Sequence, residues 1–244
     1  SSVKAVLSIR NILIEHAPDV VVSWLYHADF LASLACLSIR YKKLIWNVRN
    51  SNLDRKESSV FTRLLVKLLA LISGISPTAI ISCSSTATEI HKRLGYQKDL
   101  FHFIPNGFDQ TVIQPVVNLN SETKGIKMAG TFKLGLLGRW SPQKGHEKML
   151  AAIDRFRSTN SHCNVLLFLG GPGITADNQE LIRLLKKYRL YKQTVLCGEV
   201  SDLSSWFSEL DVHILPSIYG EAFPNVVAEA MLCGIPCIGT DVGD

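Results

Sequence analysis

Residues 212–229 read VHILPSIYGEAFPNVVAE, and this stretch decides the fold class. Val212–Leu215 is a short apolar run typical of a buried strand, and a helical pattern begins at Pro224. A strand, a loop and a helix in this order place the loop at the carboxyl edge of a parallel sheet. Glu221 lies in the loop and Glu229 on the helix, eight positions apart. Because free backbone N–H groups at such a junction favour phosphate, the stretch predicts a site for a phosphorylated, hydroxyl-rich ligand.

The same alternation of short β-rich runs and helical patterns continues along the whole chain, which is typical of βαβ units. Strands are predicted at 20–24, 44–48, 79–83, 101–104, 133–138, 164–169, 194–197, 212–215 and 236–239. Helices are predicted at 30–40, 58–73, 85–94, 145–157, 178–188, 203–210 and 224–233. The pattern predicts an α/β protein with parallel sheets.

One segment interrupts this alternation. Between Asp109 and Phe132 the chain is rich in Asn, Ser, Thr, Lys and Gly and has no periodicity. We interpret 111–131 as a linker between two doubly wound, Rossmann-like domains that face a cleft, at 1–110 and 132–244. The chain begins inside a helical pattern and stops directly after a strand, so we expect both sheets to be incomplete at their outer edges.

Composition excludes several classes of protein. The 244 residues are 47% hydrophobic and 19% charged, as in a soluble globular protein, and the formal net charge is +5. Without a basic helix or an aromatic platform, nucleic acid is not expected as a partner. The most apolar stretch, 64–83, is interrupted by Lys67, Gly74 and Pro77 and fails as a membrane span. It is interpreted as a helix, a turn and a buried strand.

The six cysteines contain no Cys-x-x-Cys pair, which argues against a zinc site or a disulfide framework. Reduced cysteines and the lack of a visible secretory signal predict a cytoplasmic protein.

A second motif, GRWSPQKG at 138–145, follows the predicted strand at 133–138 and precedes a helix. Its glycines, Gly138 among them, allow the backbone to approach an anion, and Arg139 and Lys144 can neutralise a diphosphate from two sides. The alternative is an ordinary strand-turn-helix with surface cations. The glycine-rich end of the next strand, at 170–173, would form the floor under a ribose or a base. At 196–200, after the following strand, backbone groups could read a base edge.

Three motifs together resemble the retaining family-4 (group 1) glycosyltransferases, which have the two-Rossmann-domain GT-B architecture. They are GRWSPQKG at 138–145, IPNGFD at 104–109 and EAFPNVVAEAM at 221–231. The resemblance covers nearly the whole chain, and the motifs occur in the family's order. It implies sugar transfer from a nucleotide-diphosphate donor, with retention, to a glycan or lipid-linked acceptor, often in cell-envelope polysaccharide synthesis.

The resemblance also implies roles for individual residues. Arg139 and Lys144 would bind the donor diphosphate, Glu229 the ribose hydroxyls, and Glu221 the donor sugar. The backbone after Glu221 would bind the sugar and phosphates; these residues are Phe223, Pro224, Asn225 and Val226. No cofactor beyond the nucleotide-sugar substrate is implied, and the sequence holds no Asp-x-Asp motif for a metal.

The sequence motifs assign the catalytic residues of the first domain less specifically than the donor-binding residues of the second. Many relatives carry a histidine at the end of a first-domain strand, and Asn50 occupies the corresponding place here. Asn50 can hydrogen-bond a sugar hydroxyl but cannot shuttle a proton. His27, just after the strand at 20–24, is the other candidate, with Asp29 as an orienting residue or a helix cap. A purely structural His27 is the alternative.

Two alternatives to a glycosyltransferase stay open: a nucleotide-sugar epimerase of the same architecture, and a non-catalytic nucleotide-sugar-binding fragment. Another open choice concerns Arg63 and Lys67, which lie one helical turn apart among leucines. This helix docks either peripherally on the inner face of the cell membrane or on the protein core, with two cations reaching solvent.

Overall fold

The computed structural model describes residues 2–50, 59–115 and 131–244. These residues form two compact units. Unit 1 comprises Ser1–Asn106, Gly220–Phe223 and Gly243–Asp244, and unit 2 comprises Gly107–Tyr219 and Pro224–Val242. Most of the predicted linker, residues 116–130, lies outside the described residues, and the predicted domain boundaries stay a prediction.

Unit 1 is a four-stranded parallel sheet with helices between its strands. Its elements are α1 (Ser2–His16), β1 (Val21–Trp24), α2 (Tyr26–Ser38), β2 (Leu44–Val48), α3 (Val60–Ile72), β3 (Ala79–Ser82), α4 (Ser85–Arg93) and β4 (Phe101–Phe103). The strand order is β1-β2-β3-β4. Every second residue of β2 is fully buried, at Leu44, Trp46 and Val48, and these side chains form the centre of the core with Leu69 of α3.

Unit 2 is a five-stranded parallel sheet. Its elements are β5 (Thr131–Leu137), α5 (His146–Thr159), β6 (Asn164–Gly170), α6 (Gln179–Lys187), β7 (Thr194–Gly198), α7 (Leu203–Ser208), β8 (Val212–Leu215), α8 (Asn225–Leu232) and β9 (Cys237–Gly239). The strand order is β7-β6-β5-β8-β9. One core cluster contains Leu167, Leu169 and Leu150, and another contains Trp206 and Phe207.

The helices begin where short polar side chains accept backbone hydrogen bonds. Ser59 and Ser84 cap α3 and α4, and Asn178 and Asp202 cap α6 and α7, each accepting an amide N–H at or near 3 Å. All nine predicted strands and all seven predicted helices are present within the described residues. The prediction of two Rossmann-like parallel sheets is confirmed.

One helix begins earlier than predicted. The pattern placed its start at 30, but α2 begins at Tyr26 because Leu25, with φ of 73°, turns the chain directly out of β1. His27 and Asp29 therefore lie in the first turn of α2. Of the two roles considered for Asp29, the helix cap is ruled out, because Leu25 occupies the cap position without a side-chain hydrogen bond and Asp29 is buried. The orienting role stays a prediction.

Candidate functional site

The strand order of unit 2 reverses at one place, between β5 and β8. From β5 the chain proceeds to β6 on one side, whereas β8 lies on the other side and leads to β9. β5 and β8 are paired in parallel, with Leu134 opposite Val212 and Gly135 opposite His213. Loops that leave two such strands diverge and open a crevice at the carboxyl edge, which is where ligands bind in open α/β sheets. The motif at 138–145 follows β5, and the stretch that leads to α8 follows β8.

Backbone hydrogen bonds tie the strand ends together at this edge. Gly138 N donates to Gly170 O at 2.8 Å, and Gly171 N donates to Gly198 O at 2.6 Å. Ile218 N donates to Gln143 O at 2.8 Å, which joins the chain after β8 to the turn after β5. The edge is therefore held by main-chain contacts that do not depend on flexible side chains.

Two glycines make this close backbone contact possible. Gly145 has φ of 64°, and a Cβ atom there would lie 2.0 Å from Pro216 O. Gly171 has φ of 125°, and a Cβ atom would lie 2.4 Å from Gly138 O. Any larger residue would separate the two main chains or strain them.

The two predicted diphosphate-binding cations occupy the turn after β5. The aliphatic chain of Lys144 passes over Gly138, with its Cγ and Cδ atoms 3.4 Å from the position that a Cβ of Gly138 would take. The Arg139 side chain is exposed and donates from Nη2 to Gln143 Oε1 at 3.1 Å. Gly138 thus leaves room for the lysine, and the turn carries two positive charges.

Two histidines without a predicted role lie beside Lys144. His146 begins α5 and is 2% exposed, with its ring centroid 4.8 Å from that of Trp140. His213 of β8 is fully buried against Trp206 and Phe207. Burial, and secondarily the Lys144 charge, lowers the pKa of both imidazoles to about 4. Both are therefore neutral at neutral pH, and His213 is recognisable in the sequence only as a polar residue within an apolar strand.

The helix after β8 carries the predicted ribose-binding carboxylate. α8 begins at Asn225, one residue after the predicted start, with Pro224 at the cap position. Glu229 lies in its second turn and is half-buried, and burial raises the pKa of its carboxyl group. A carboxylate held partly out of water gains most from hydroxyl donors of a ligand, because they restore lost hydrogen bonds.

The first half of the predicted donor loop groups with unit 1. Glu221 is 8% exposed, while Ala222 and Phe223 pack against Cys83 and Ala87. The structure therefore describes Glu221 and Phe223 in unit 1, and Arg139, Lys144, Pro224, Asn225, Val226 and Glu229 in unit 2. A single site that joins these two sets stays a prediction.

An acidic side chain occupies the start of α4 in unit 1. The Asp244 carboxylate accepts hydrogen bonds from the amide and hydroxyl groups of Ser85 and from Thr86 N, the last at 3.0 Å. Burial alone would raise the pKa of Asp244, but the hydrogen bonds from Thr86 and Ser85 lower it to about 2.

The predicted acceptor-side residues lie at the carboxyl edge of the first sheet. His27 is exposed in the first turn of α2, where its ring stacks on that of Phe61 at 5.8 Å between centroids. Asn50 follows β2 and is partly exposed. Sequence reasoning missed their neighbour Arg49, whose guanidinium lies 4.6 Å from the Trp24 ring centroid.

Arg49 also joins two strand ends. It donates to Asn47 Oδ1 at 2.8 Å and to Asn106 Oδ1. Asn106 belongs to the motif at 104–109, and its side-chain oxygen accepts this hydrogen bond.

Behind this edge lies a buried acid. Asp29 is 1% exposed and accepts a hydrogen bond from Ser23 Oγ at 2.6 Å. Burial raises the pKa of Asp29 to about 7, against the lowering effect of the Ser23 hydroxyl and the Asn47 backbone. Asp29 is therefore a buried hydrogen-bond partner of Ser23. A second buried polar pair lies nearby, where Tyr26 Oη and His91 Nε2 are 2.7 Å apart.

Among the described residues, no three His, Cys, Asp or Glu side chains lie close enough to hold a metal ion. In the same part of the chain, the helices are all too short or too polar to cross a bilayer. A metal-independent reaction stays a prediction.

Models of known protein families match both units of the chain. A model described as Glycosyltransferase Family 4 matches residues 2–112, and one described as Glycosyl transferases group 1 matches residues 131–244. A putative glycosyltransferase, EpsF of Bacillus subtilis, is 24% identical over 97% of this chain and 61% of its own length. A phosphatidyl-myo-inositol mannosyltransferase of Mycobacterium leprae is 30% identical over 56% of this chain and 36% of its own length.

The fold is shared with a solved structure, Anabaena Alr3699/HepE in complex with UDP-glucose. The TM-score is 0.82 at 20% identity, over 98% of this chain and 63% of that protein. The chain thus spans less than two thirds of the length of each of these three proteins.

Proposed function

Because this chain belongs to the family-4 (group 1) glycosyltransferases, we propose that its protein transfers a sugar from a nucleotide-diphosphate donor to an acceptor hydroxyl group. The observation that carries the proposal is the arrangement around the switch point of unit 2. Arg139 and Lys144 follow β5, and Glu229 follows β8, the two strands between which the order reverses. Cations for a diphosphate thus come from the turn after β5, and a carboxylate for hydroxyls comes from the helix that follows the loop after β8.

Charge accounts for how such a site assists the reaction. In the transfer, the bond between the anomeric carbon and the diphosphate oxygen breaks. A bond from the acceptor oxygen to the same carbon forms, and the acceptor proton passes to the departing diphosphate. Negative charge develops on the diphosphate, so Lys144, Arg139 and the N-terminus of α8 at Asn225 bind it more tightly as the reaction proceeds. These cations supply the stabilisation that a metal ion provides elsewhere, and we propose a metal-independent reaction.

The donor is proposed as a nucleotide-diphosphate hexose. The Anabaena protein of the same fold was solved with UDP-glucose, which supports this class of ligand. Glu229 would accept hydrogen bonds from the ribose hydroxyls. The strand ends at Gly170, Gly171 and Gly198 would lie beneath the nucleoside.

The acceptor is proposed as a glycan or a lipid-linked sugar of the cell envelope, with retention of configuration at the anomeric carbon. Retention follows from the resemblance of the three sequence motifs, and the name of the Mycobacterium leprae relative supports a lipid acceptor. His27, Asn50 and Glu221 are the groups that we propose near the transferred sugar. The protein would act in the cytoplasm, at the inner face of the membrane.

The experiment starts with the full-length protein and a panel of UDP-, GDP- and ADP-sugars. A true donor raises the unfolding midpoint when it exceeds its dissociation constant. The nucleotide sugar that binds is then prepared with a radiolabel in its sugar. It is incubated with the protein and with cell-envelope lipid extracts as acceptors, and the products are separated. Label in a larger glycan or in lipid supports transfer.

The other outcomes separate the alternatives. An isomerised nucleotide sugar formed without acceptor would indicate an epimerase. Donor binding without any product would indicate a binding protein. A panel in which no nucleotide sugar shifts the midpoint would refute the proposed site.

A further inference from the structure

Arg49 is held at the carboxyl edge of the first sheet by three uncharged groups. It follows β2, and its Nε donates to Asn47 Oδ1 at 2.8 Å. Its Nη1 donates to Asn106 Oδ1, beyond the end of β4. The guanidinium carbon lies 4.6 Å from the ring centroid of Trp24, the last residue of β1. The side chain is therefore fixed in one orientation without an acidic partner.

The positive charge of Arg49 is not balanced within the described part of the chain. None of the ion pairs found there includes Arg49. The acid behind this edge, Asp29, is buried and accepts a hydrogen bond from Ser23 instead. A guanidinium has five N–H donors, and the two asparagines accept from only two of them. The cation is thus ordered and still has donors for a ligand.

These features favour an anion as the ligand of Arg49. The residue is half-buried, and a charge partly shielded from water interacts more strongly with an opposite charge. Because its fork is already oriented, little conformational entropy is lost when an anion binds. The carboxyl edge of a parallel sheet is also where ligands bind in this type of fold.

The start of α2 adds positive potential beside Arg49. Leu25 N donates to Asn47 O at 3.3 Å, so the helix start is tied to the residue that orients Arg49. Leu25 occupies the cap position, and its side chain makes no capping hydrogen bond. The first-turn amides of a helix favour phosphate. A phosphate presents more acceptor oxygens than a carboxylate, so it can accept from the guanidinium and from these amides together.

We propose that Arg49 binds a phosphate group of the acceptor. The acceptor is then a phosphate-bearing sugar, as in a sugar joined to a lipid carrier through phosphate, and not a neutral glycan. His27 lies in the first turn of α2, so the phosphate binds next to a residue proposed near the transferred sugar. The assignment to the acceptor rests on the proposed function, whereas phosphate binding at Arg49 does not.

The first test measures phosphate binding without the cations of unit 2. The full-length double variant Arg139→Ala/Lys144→Ala lacks the charges proposed for the donor and serves as the background. Saturation-transfer NMR follows its titration with glucose 1-phosphate, with glucuronic acid and with uncharged methyl glucoside. Glucose 1-phosphate should bind most tightly, and methyl glucoside at least about tenfold more weakly, a difference of about 1.4 kcal/mol.

Substitutions of Arg49 in this background locate the site. Arg49→Gln should lower the affinity for glucose 1-phosphate at least about tenfold. Arg49→Lys keeps the charge but not the planar fork, and it should lower the affinity about threefold. The matched control is Arg93→Gln, at an exposed position in the last turn of α4. It removes the same charge from unit 1 and should bind within about twofold of the background.

The second test identifies the molecule that carries the phosphate. In the transfer assay, Arg49→Gln in the otherwise wild-type protein should raise KM for the acceptor at least about tenfold. KM for the donor should stay within about twofold of wild type. A rise in KM for the donor instead would place the phosphate on the donor and overturn the acceptor assignment.

The remaining outcomes also decide the proposal. No binding of glucose 1-phosphate by the background variant would overturn it, as would equal binding of methyl glucoside. Tighter binding of glucuronic acid would make the ligand a carboxylate. A lower free energy of unfolding in Arg49→Gln with unchanged phosphate binding would reduce Arg49 to a tie between strand ends. If phosphate binding depends on Arg49 but no transfer product forms, the proposed function and the acceptor assignment fail while the phosphate site stands.

Discussion

A Cβ atom on Gly145 would lie 2.0 Å from the carbonyl oxygen of Pro216, so the start of α5 and the end of β8 are in direct backbone contact. This contact joins the two loops that flank the switch point of unit 2. The cation-bearing turn is therefore positioned by main-chain packing against the strand that leads to Glu229.

We expect Gly145→Ala to destabilise unit 2, because the added methyl group would overlap the carbonyl oxygen of Pro216. The matched control is Gly198→Ala, because Gly198 has nearly the same φ, 63°, and among the described residues a Cβ atom there would meet nothing within 4 Å beyond its chain neighbours. Gly198→Ala should lose roughly 1 kcal/mol from backbone strain alone. Gly145→Ala should lose about 1–3 kcal/mol more, because the methyl group overlaps Pro216. Urea denaturation of both variants measures the difference, and equal losses would contradict the packing argument.

Lys144→Ala and Glu229→Ala should each lower sugar transfer at least about tenfold, as expected when about 1.4 kcal/mol of transition-state stabilisation is lost. In the proposed function, the charge on Lys144 stabilises the departing diphosphate, and Glu229 accepts hydrogen bonds from the ribose hydroxyls. Steady-state rates with the identified donor measure the effect. Lys148→Ala and Glu180→Ala, at exposed positions of α5 and α6, serve as controls. Full turnover in both Lys144→Ala and Glu229→Ala would refute the site assignment.

Asp29→Asn should stabilise unit 1 increasingly as the pH rises. Burial raises the pKa of Asp29 from 3.8 to about 7 in the folded state. Between these values the folded state binds more protons than the unfolded state, so the free energy of unfolding of wild type falls as the pH rises towards 7. The asparagine variant lacks this loss, and its oxygen can still accept the Ser23 hydrogen bond.

The advantage of Asp29→Asn should grow by about 2 kcal/mol between about pH 5 and pH 7 and then level off. Urea denaturation of wild type and variant at each pH measures it. Contributions of other titrating groups, such as His91, cancel in the difference. A pH-independent difference would show that Asp29 is ionised in the fold.

His213→Leu should stabilise unit 2 more in acid than at neutral pH. Neither ring nitrogen of His213 has a hydrogen-bond partner among the described residues, and its pKa is lowered from 6.5 to about 4. The unfolded state therefore takes up a proton between these values, and stability that is present above pH 6.5 is lost as the pH falls towards 4.

Leucine removes this dependence, so the gain should be about 1–2 kcal/mol larger at about pH 5 than at about pH 7.5. Thermal unfolding at the two pH values provides the measurement. The hypothesis fails if the gain in stability is the same at the two pH values.

The order of strands and helices follows from local sequence patterns, because apolar periodicity, glycines and capping residues act over a few neighbouring positions. Val212–Leu215 and the helix that begins after Pro224 lie where the pattern placed them. The sequence also located Gly138, Arg139 and Lys144 in a turn after a strand. Its motifs identified the family that the comparisons with known proteins support.

Which distant residues meet, and which side chains are buried, became known from the three-dimensional fold. The pairing of β5 with β8 places two loops at one switch point, although their strands are separated by β6 and β7 in the chain. Burial turned Asp29 from an expected cap into a buried acid, and it placed His146 and His213 beside Lys144. It also divided the leucines of α3, with Leu65 and Leu69 in the core and Leu64 and Leu71 in water. Burial and charge proximity depend on contacts between segments far apart in the chain, and local sequence patterns do not contain them.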